Sequence, residues 1–129
     1  MKPDYFINMV QTVASGSHCN RLKVGAVIVD KDKRIVSTGY NGQPRGVCNE
    51  CEKNDKTLDT VIHAELNAIL YAKRDLSDCI LYVTHSPCAH CAACIIQSGI
   101  KKVVYIHDYR NSEGSTFLKN HGVEVIKHS

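Results

Sequence analysis

The chain has 129 residues, of which 43% are hydrophobic and 22% charged, values typical of one globular domain spanning residues 1–129 and not of a disordered chain. A net charge of +3 is too small to indicate binding to duplex nucleic acid or to an anionic membrane. No stretch approaches ~18 apolar residues, so we expect no membrane span, no signal peptide and a cytoplasmic location.

The first third of the chain predicts a helix followed by a β-hairpin. Apolar side chains recur at helical spacing over residues 4–17, and Gly16 would end that helix. A β-branched run over residues 24–29 predicts a buried strand, and residues 34–40 predict its hairpin partner. Residues 41–60 are irregular, and a loop of about 20 residues in a compact domain is commonly functional.

Strands and helices alternate in the rest of the chain. Six elements are predicted there: a helix over 63–74, a strand over 79–84, a helix over 88–98, a strand over 102–106, a helix over 114–120 and a strand over 123–126. Such alternation implies right-handed crossovers and partly parallel pairing. We therefore predict an α/β fold, a three-layer α/β/α sandwich around a five-stranded mixed sheet.

Two short motifs, each at the start of a predicted helix, indicate a metal centre. The chain has seven cysteines, and in a reducing compartment clustered cysteines more often bind metal than form disulfides. Cys88 and Cys91 are three apart, which places both sulfurs on one helix face, near the helix N-terminus that favours thiolates. His63 can complete a set of three ligands. The fourth tetrahedral position would stay open, as a catalytic zinc requires.

Glu65 lies two residues from that histidine and is the predicted proton carrier. Zn²⁺ held by two thiolates and a neutral imidazole is about neutral, so it should acidify a water less than a three-histidine site does. A nearby carboxylate is then needed to accept the proton. Zinc nucleobase deaminases show this pattern. The alternative is a closed structural zinc in a binding module without turnover, in which Glu65 has no role.

The remaining cysteines and histidines leave alternatives open. Cys19, Cys48 and Cys51 either hold a second, structural zinc or are unligated thiols; candidates for a fourth ligand are His18, Glu50 and Asp59. Cys79 and Cys94 are predicted core residues. His85 and His90 flank the cysteine pair and either line the mouth of a pocket or face solvent. The other three histidines are predicted surface residues: His107, His121 and His128.

Motifs along most of the chain carry a specific family resemblance. They include Thr38-Gly39-Tyr40-Asn41-Gly42, His63-Ala64-Glu65-Leu66-Asn67-Ala68-Ile69, Tyr82-Val83-Thr84, Pro87-Cys88 with Cys91-Ala92, and Ile95-Ile96-Gln97-Ser98-Gly99. On these residues the chain resembles the deoxycytidylate deaminases, within the cytidine and deoxycytidylate deaminase superfamily. The resemblance implies hydrolysis of dCMP to dUMP with release of ammonia, a supply of dUMP for thymidylate synthesis.

Site residues follow from the resemblance by position. It implies that His63, Cys88 and Cys91 hold the catalytic zinc and that Glu65 moves protons. Asn41 would contact the sugar or base, and Tyr109 and Arg110 would lie near the 5′-phosphate, for which a guanidinium is well suited. The implied substrate pocket also includes Val24, His63, Ala64 and Ser86.

The resemblance also implies regulation and assembly. Many members of the family are homohexamers activated by dCTP and inhibited by dTTP. Gly42, Arg45 and Gly46 are the implied contacts of the effector phosphates, and the alternative for this segment is a simple turn. Cys19 and Cys48 lie where phage members carry a second zinc, whereas Val61 and Ile62 lie where those members have a further ligand. His85 replaces a residue that is usually apolar.

Other zinc deaminases are the closest alternatives. A tRNA adenosine deaminase should show a basic stripe and a basic C-terminal helix, which this sequence does not supply. A deaminase of free nucleosides needs no phosphate ligand, so Arg110 distinguishes that activity from action on a nucleotide.

Overall fold

The computed structural model describes residues 4–109 and 111–128. Its elements are α1 (Tyr5–Ala14), β1 (Gly25–Val29), β2 (Ile35–Tyr40), β3 (Glu52–Lys53), β4 (Lys56–Thr57), α2 (Ala64–Ala72), β5 (Ile80–His85), α3 (Ala89–Ser98), β6 (Lys102–His107), α4 (Glu113–Asn120) and β7 (Glu124–Lys127). All nine predicted elements are present in the predicted order. The structure adds the small β3–β4 hairpin inside the long loop.

The five long strands form one mixed sheet in the order β2-β1-β5-β6-β7. Strand β1 runs antiparallel to both of its neighbours, whereas β5, β6 and β7 are parallel to one another. The predicted five-stranded mixed sheet is therefore confirmed. Because β5, β6 and β7 are parallel, their C-terminal ends lie at the same end of the sheet. The residues that follow these strand ends are therefore close to one another.

Helices cover both faces of the sheet. On one face, Phe6 and Val10 of α1 pack against Val27 and Val29 of β1. The opposite face carries α2, α3 and α4, whose buried side chains join the alternate residues of the strands in the main core: Ala68, Ile95, Leu118, Ile28, Leu81 and Val103. The structure thus has the predicted three layers. Among the described residues, no helix is long and apolar enough to cross a membrane.

A glycine in β2 sets how closely α2 approaches the sheet. A Cβ on Gly39 would lie 2.6 Å from both the Ala64 oxygen and the Ala68 nitrogen of the helix backbone. The Ser37 hydroxyl donates a hydrogen bond to the Ala68 oxygen at 2.7 Å, on the same side of the strand. Because α2 begins directly after His63, this contact also positions the candidate metal site.

We expect Gly39→Ala to destabilise the fold by about 1–3 kcal/mol, the usual cost of overpacking a close contact. Thermal unfolding should show a melting temperature lowered by several degrees. The matched control is Gly42→Ala, since nothing lies within 4 Å of a Cβ at that position. Equal stability of the two variants would show that α2 can shift freely on the sheet.

Candidate active site

The candidate site lies where the N-termini of α2 and α3 meet the C-terminal ends of β5 and β6. His63 is the N-cap of α2, and its extended backbone (φ −67°, ψ 152°) turns the chain into the helix. Cys88 is the N-cap of α3, where its sulfur accepts a hydrogen bond from the Cys91 backbone N–H at 3.4 Å. Both helix starts were predicted within one residue, so the three side chains project from adjacent helix ends.

The structure brings the three predicted metal ligands together. The Nδ1 atom of His63 lies 3.2 Å from the Cys91 sulfur and 3.6 Å from the Cys88 sulfur. All three ligand atoms lie within 4.8 Å of one another. Cys91 is buried, Cys88 is half-buried and His63 is exposed, so the cluster has one buried side and one accessible side.

The electrostatics of this cluster favour the binding of a cation. Hydrogen bonds from Cys91 and His63 lower the pKa of Cys88 to about 3. The hydrogen bond to Cys88, followed by burial, raises the pKa of Cys91, and the bond to Cys88 also raises the pKa of His63. Ionisation of one thiol thus disfavours ionisation of the other, and a positive charge between them would favour the thiolate form of both. Two soft thiolates and an imidazole fit Zn²⁺.

Glu65 lies on the first turn of α2 and is only 4% exposed. Burial raises the pKa of its carboxyl group to about 7, although a backbone hydrogen bond and the nearby His63 act in the opposite direction. A carboxyl group with a pKa near neutrality can both accept and donate a proton at working pH. These properties suit a proton carrier.

A cavity of about 460 Å³ opens beside the cluster and falls within the usual size range of small-molecule sites. His63, Glu65 and Cys88 form part of its lining. The predicted substrate residues within the described chain all line it as well: Val24, Asn41, Ala64, Ser86 and Tyr109. Arg110 lies outside the described residues.

Asn41 and Ser86 each hold a wall of this cavity in place. The Asn41 side chain accepts a hydrogen bond from the Val24 N–H at 2.9 Å and donates one to the Leu22 oxygen at 2.8 Å. On the other side, the Ser86 hydroxyl accepts a hydrogen bond from the Tyr109 N–H at 2.8 Å. Part of the hydrogen-bonding capacity of both side chains is therefore used within the protein.

The sequence did not identify the histidine that ends β6. His107 was predicted to be a surface residue; it is exposed, but it lines the same cavity as His85. The parallel register pairs these two residues, and this pairing is the signal that would have found His107.

His90 is exposed on α3, Cys79 is buried in the core, and Cys94 is half-buried.

The structure assembles the predicted second cysteine group only in part. Cys19 and Cys51 form a disulfide, whereas Cys48 is free and exposed. Among the described residues, the third ligand-type side chain beside the pair is that of Glu52, which also accepts hydrogen bonds from the backbone of Asn20 and Arg21. The predicted set of three cysteines therefore needs correction, because Cys19 and Cys51 are buried together whereas Cys48 is exposed and lies outside this group.

The segment with the predicted effector residues borders a second cavity of about 690 Å³. Gly42 forms an antiparallel bridge with Ile62, and Gly46 has a positive φ of +84°. The Arg45 guanidinium lies 5.8 Å from the centre of the Tyr71 ring, on the exposed side of α2. Gly42, Arg45 and Gly46 all line this cavity.

Comparisons with known proteins agree with this geometry. Residues 1–107 match the model of the cytidine and deoxycytidylate deaminase zinc-binding region. An uncharacterized deaminase in the luxG 3′ region of Aliivibrio fischeri is 43% identical over 122 residues, covering 93% of this chain and 79% of that protein. The deoxycytidylate deaminase of Mycobacterium phage D29 is 42% identical over 118 residues, covering 79% of this chain and 91% of its own length.

The solved structures include a similar protein with bound nucleotides. The dCMP deaminase of cyanophage S-TIM5, crystallised in complex with dCMP and dUMP, superposes with a TM-score of 0.90 at 38% identity. The match covers 99% of both chains. The similarity therefore extends over the whole fold.

Proposed function

Because this chain belongs to the cytidine and deoxycytidylate deaminase family, we propose that it is a hydrolase that converts dCMP to dUMP and releases ammonia. The observation that carries the proposal is the cluster of His63, Cys88 and Cys91 beside the buried Glu65, at a cavity large enough for a nucleotide. Relatives named deoxycytidylate deaminase support the choice of dCMP.

In this proposal His63, Cys88 and Cys91 hold the ion and Glu65 moves the protons. When bound, zinc supplies the Lewis acidity that makes a water nucleophilic near neutral pH. Glu65 accepts one proton of the attacking water and passes it to the ring nitrogen of the base, and the second proton goes to the departing amino group. The water oxygen ends on C4 of the pyrimidine and the amino nitrogen leaves as ammonia, so the atoms balance.

The cavity walls supply the orientation of the substrate. Val24 and Ala64 offer an apolar surface to the base, and the unused hydrogen-bonding capacity of Asn41 and Ser86 faces its polar edge or the sugar. Tyr109, with Arg110, is assigned to the 5′-phosphate by resemblance. One catalytic domain acting on soluble nucleotides is expected to work in the cytoplasm and to supply dUMP for thymidylate synthesis.

The direct test is ammonia release from the purified, zinc-loaded protein with dCMP, dCTP and deoxycytidine as separate substrates. We expect turnover of dCMP in clear preference to the other two. Turnover of deoxycytidine alone would retain the zinc chemistry and remove the nucleotide as substrate. No release from any of the three would favour a tRNA adenosine deaminase as the first alternative and the binding module without turnover as the second.

We also propose a second, structural zinc held by the reduced forms of Cys19 and Cys51 with the Glu52 carboxylate. These three side chains place ligand atoms within 4.8 Å of one another. Zinc and the disulfide exclude each other, because only the thiolates bind metal. Metal analysis of reduced protein would give two zinc ions per chain if this site fills, and one if it does not.

Regulation by dCTP as activator and dTTP as inhibitor, in a homohexamer, completes the proposal. The cavity beside Gly42, Arg45 and Gly46 supports it, since a triphosphate needs cationic side chains and close backbone approach. The exposed rings of Tyr40 and Tyr71, beside this cavity, offer a surface for a neighbouring subunit.

We expect Arg45→Ala to raise the concentrations of dCTP and dTTP needed for half-maximal effect by roughly 10-fold or more, the cost of one charge-assisted phosphate contact. The measurement is ammonia release from dCMP over a range of effector concentrations. Lys31→Ala is the control, because it removes an exposed positive charge from the distant β1–β2 turn. An unaltered effector response in Arg45→Ala would place the effectors elsewhere.

A further inference from the structure

We propose that His85 and His107 together bind the 5′-phosphate of the substrate and thereby select a nucleotide over a nucleoside. The inference rests on the proposed function and adds two residues to it. Neither histidine takes part in the metal cluster, and the two come from separate strands.

The first support is their position in the sheet. His85 ends β5 and His107 ends β6, and the parallel register makes them direct partners. Their ring centroids are 5.1 Å apart, with an angle of 43° between the ring planes. Both rings line the 460 Å³ cavity that also contains Glu65. Ligands of α/β sheets bind beyond the C-terminal ends of parallel strands, which is where this pair lies.

The second support is the hydrogen-bonding capacity that the pair retains. The Nδ1 atom of His85 contacts the Thr84 hydroxyl at 2.9 Å, and that hydroxyl accepts a hydrogen bond from the Gly25 N–H at 3.1 Å. This contact orients the His85 ring and leaves its Nε2 atom for another partner. Within residues 4–109 and 111–128, no hydrogen bond reaches either ring nitrogen of His107. The pair can therefore offer one nitrogen from each ring to a ligand.

The third support is the balance of charge around the pair. Asp108 directly follows His107, but its carboxylate accepts hydrogen bonds from Lys127 at 2.7 Å and Tyr105 at 3.0 Å. That acidic group is therefore already compensated. Burial lowers the pKa of His85, and the neighbouring His107 lowers it further, so an anion bound beside the two rings would favour a positive charge on His85.

A phosphate monoester matches these properties. It carries about −1.5 to −2 charges at pH 7 and has three strong acceptor oxygens. Two imidazole rings with their centroids 5.1 Å apart can donate to two oxygens of the same group. Deoxycytidine and deoxyuridine lack this group, so the pair should contribute nothing to their binding.

The test compares dUMP with deoxyuridine, because neither is consumed by the proposed reaction. Dissociation constants of both are measured by calorimetry on the full, zinc-loaded chain. The primary variant is His107→Phe, which keeps an aromatic ring against His85 and removes the two nitrogens. We expect dUMP to bind roughly 10–100-fold more weakly, the loss of one charge-assisted contact, and deoxyuridine to bind within about twofold of the original protein.

Two further variants separate recognition from packing. His85→Phe should give the same selective loss, with its fold checked by thermal unfolding because it also loses the Thr84 contact. The control is His121→Phe, which changes an exposed histidine at the end of α4 whose ring centroid lies 4.4 Å from that of Phe117. It should leave both constants unchanged.

The possible outcomes are distinct. Equal weakening of dUMP and deoxyuridine would show that the pair only shapes the cavity, and unchanged dUMP binding would show that it does not touch the ligand; either result overturns the inference. A protein that releases no ammonia from dCMP, yet binds dUMP in preference to deoxyuridine through His107, would retain the phosphate site and refute the proposed function. No preference for dUMP in the unaltered protein would also overturn the inference.

Discussion

Glu65→Gln is expected to release ammonia from dCMP at least about 10²–10⁴-fold more slowly than the unaltered protein while keeping its zinc. The amide occupies the same buried volume and can still form hydrogen bonds, but it cannot carry a proton from water to the base. Ammonia release at saturating dCMP gives the rate, and metal analysis of the same sample gives the zinc content.

Stability separates this effect from misfolding. Burial raises the pKa of Glu65 from 4.5 to about 7. In the metal-free protein the free energy of unfolding should therefore decrease as the pH rises from 4.5 towards 7, because the carboxyl group ionises more readily in the unfolded chain. Glutamine does not ionise and so has no such pH-dependent loss of stability. Metal-free Glu65→Gln should therefore be at least as stable as the unaltered protein near neutral pH.

The matched control for this prediction is Glu113→Gln, which alters an exposed glutamate in the first turn of α4. It should retain both zinc and turnover. Full ammonia release by Glu65→Gln would show that another group moves the protons, and the mechanism proposed above would then be wrong.

Cys91→Ala is expected to lose the catalytic zinc and to lower ammonia release on the order of 10³-fold or more, since a bound metal contributes several kcal/mol to the transition state. Cys91 is fully buried and its sulfur lies 3.2 Å from the His63 nitrogen, so the substitution removes the ligand on the buried side of the cluster. Zinc content and ammonia release are measured on the same preparation.

Cys94→Ala is the control for the metal prediction, because this cysteine lies one turn further along α3 and is outside the cluster. It should keep its zinc. Treatment of the unaltered protein with a chelator should reproduce the loss of zinc and of ammonia release seen in Cys91→Ala. Added Zn²⁺ should restore ammonia release in the chelator-treated protein and not in Cys91→Ala. Retained turnover in metal-free protein would exclude zinc from the reaction.

Local features of the sequence were sufficient for the helices, the strands and the cysteine pair of the metal cluster. The largely β-branched run that includes β1 and the helical spacing in α1 are patterns carried within one short stretch of sequence. Cys88 and Cys91 belong to one helix start, so their approach follows from helix geometry alone. His63 joined them through a pattern of spacing known from zinc deaminases, with Glu65 two residues further on.

Contacts between distant segments were decided only by the tertiary structure. The pairing of Cys51 with Cys19, together with Glu52, depends on the path of a long loop that has little periodicity of its own. The Asn41 side chain forms hydrogen bonds with the backbone of Val24 and Leu22. The spacing of residues along the sequence does not predict these contacts.

The pair of His85 and His107 shows most clearly the difference between what the sequence predicts and what the tertiary structure adds. The strands predicted over residues 79–84 and 102–106 stop one residue before His85 and His107, so the sequence alone placed each histidine next to the end of a strand. Only the register of two parallel strands, joined through α3, places the two rings 5.1 Å apart in one cavity. Strand register arises from the packing of α3 and the sheet as a whole, and that information is spread over many residues that are far apart in the chain.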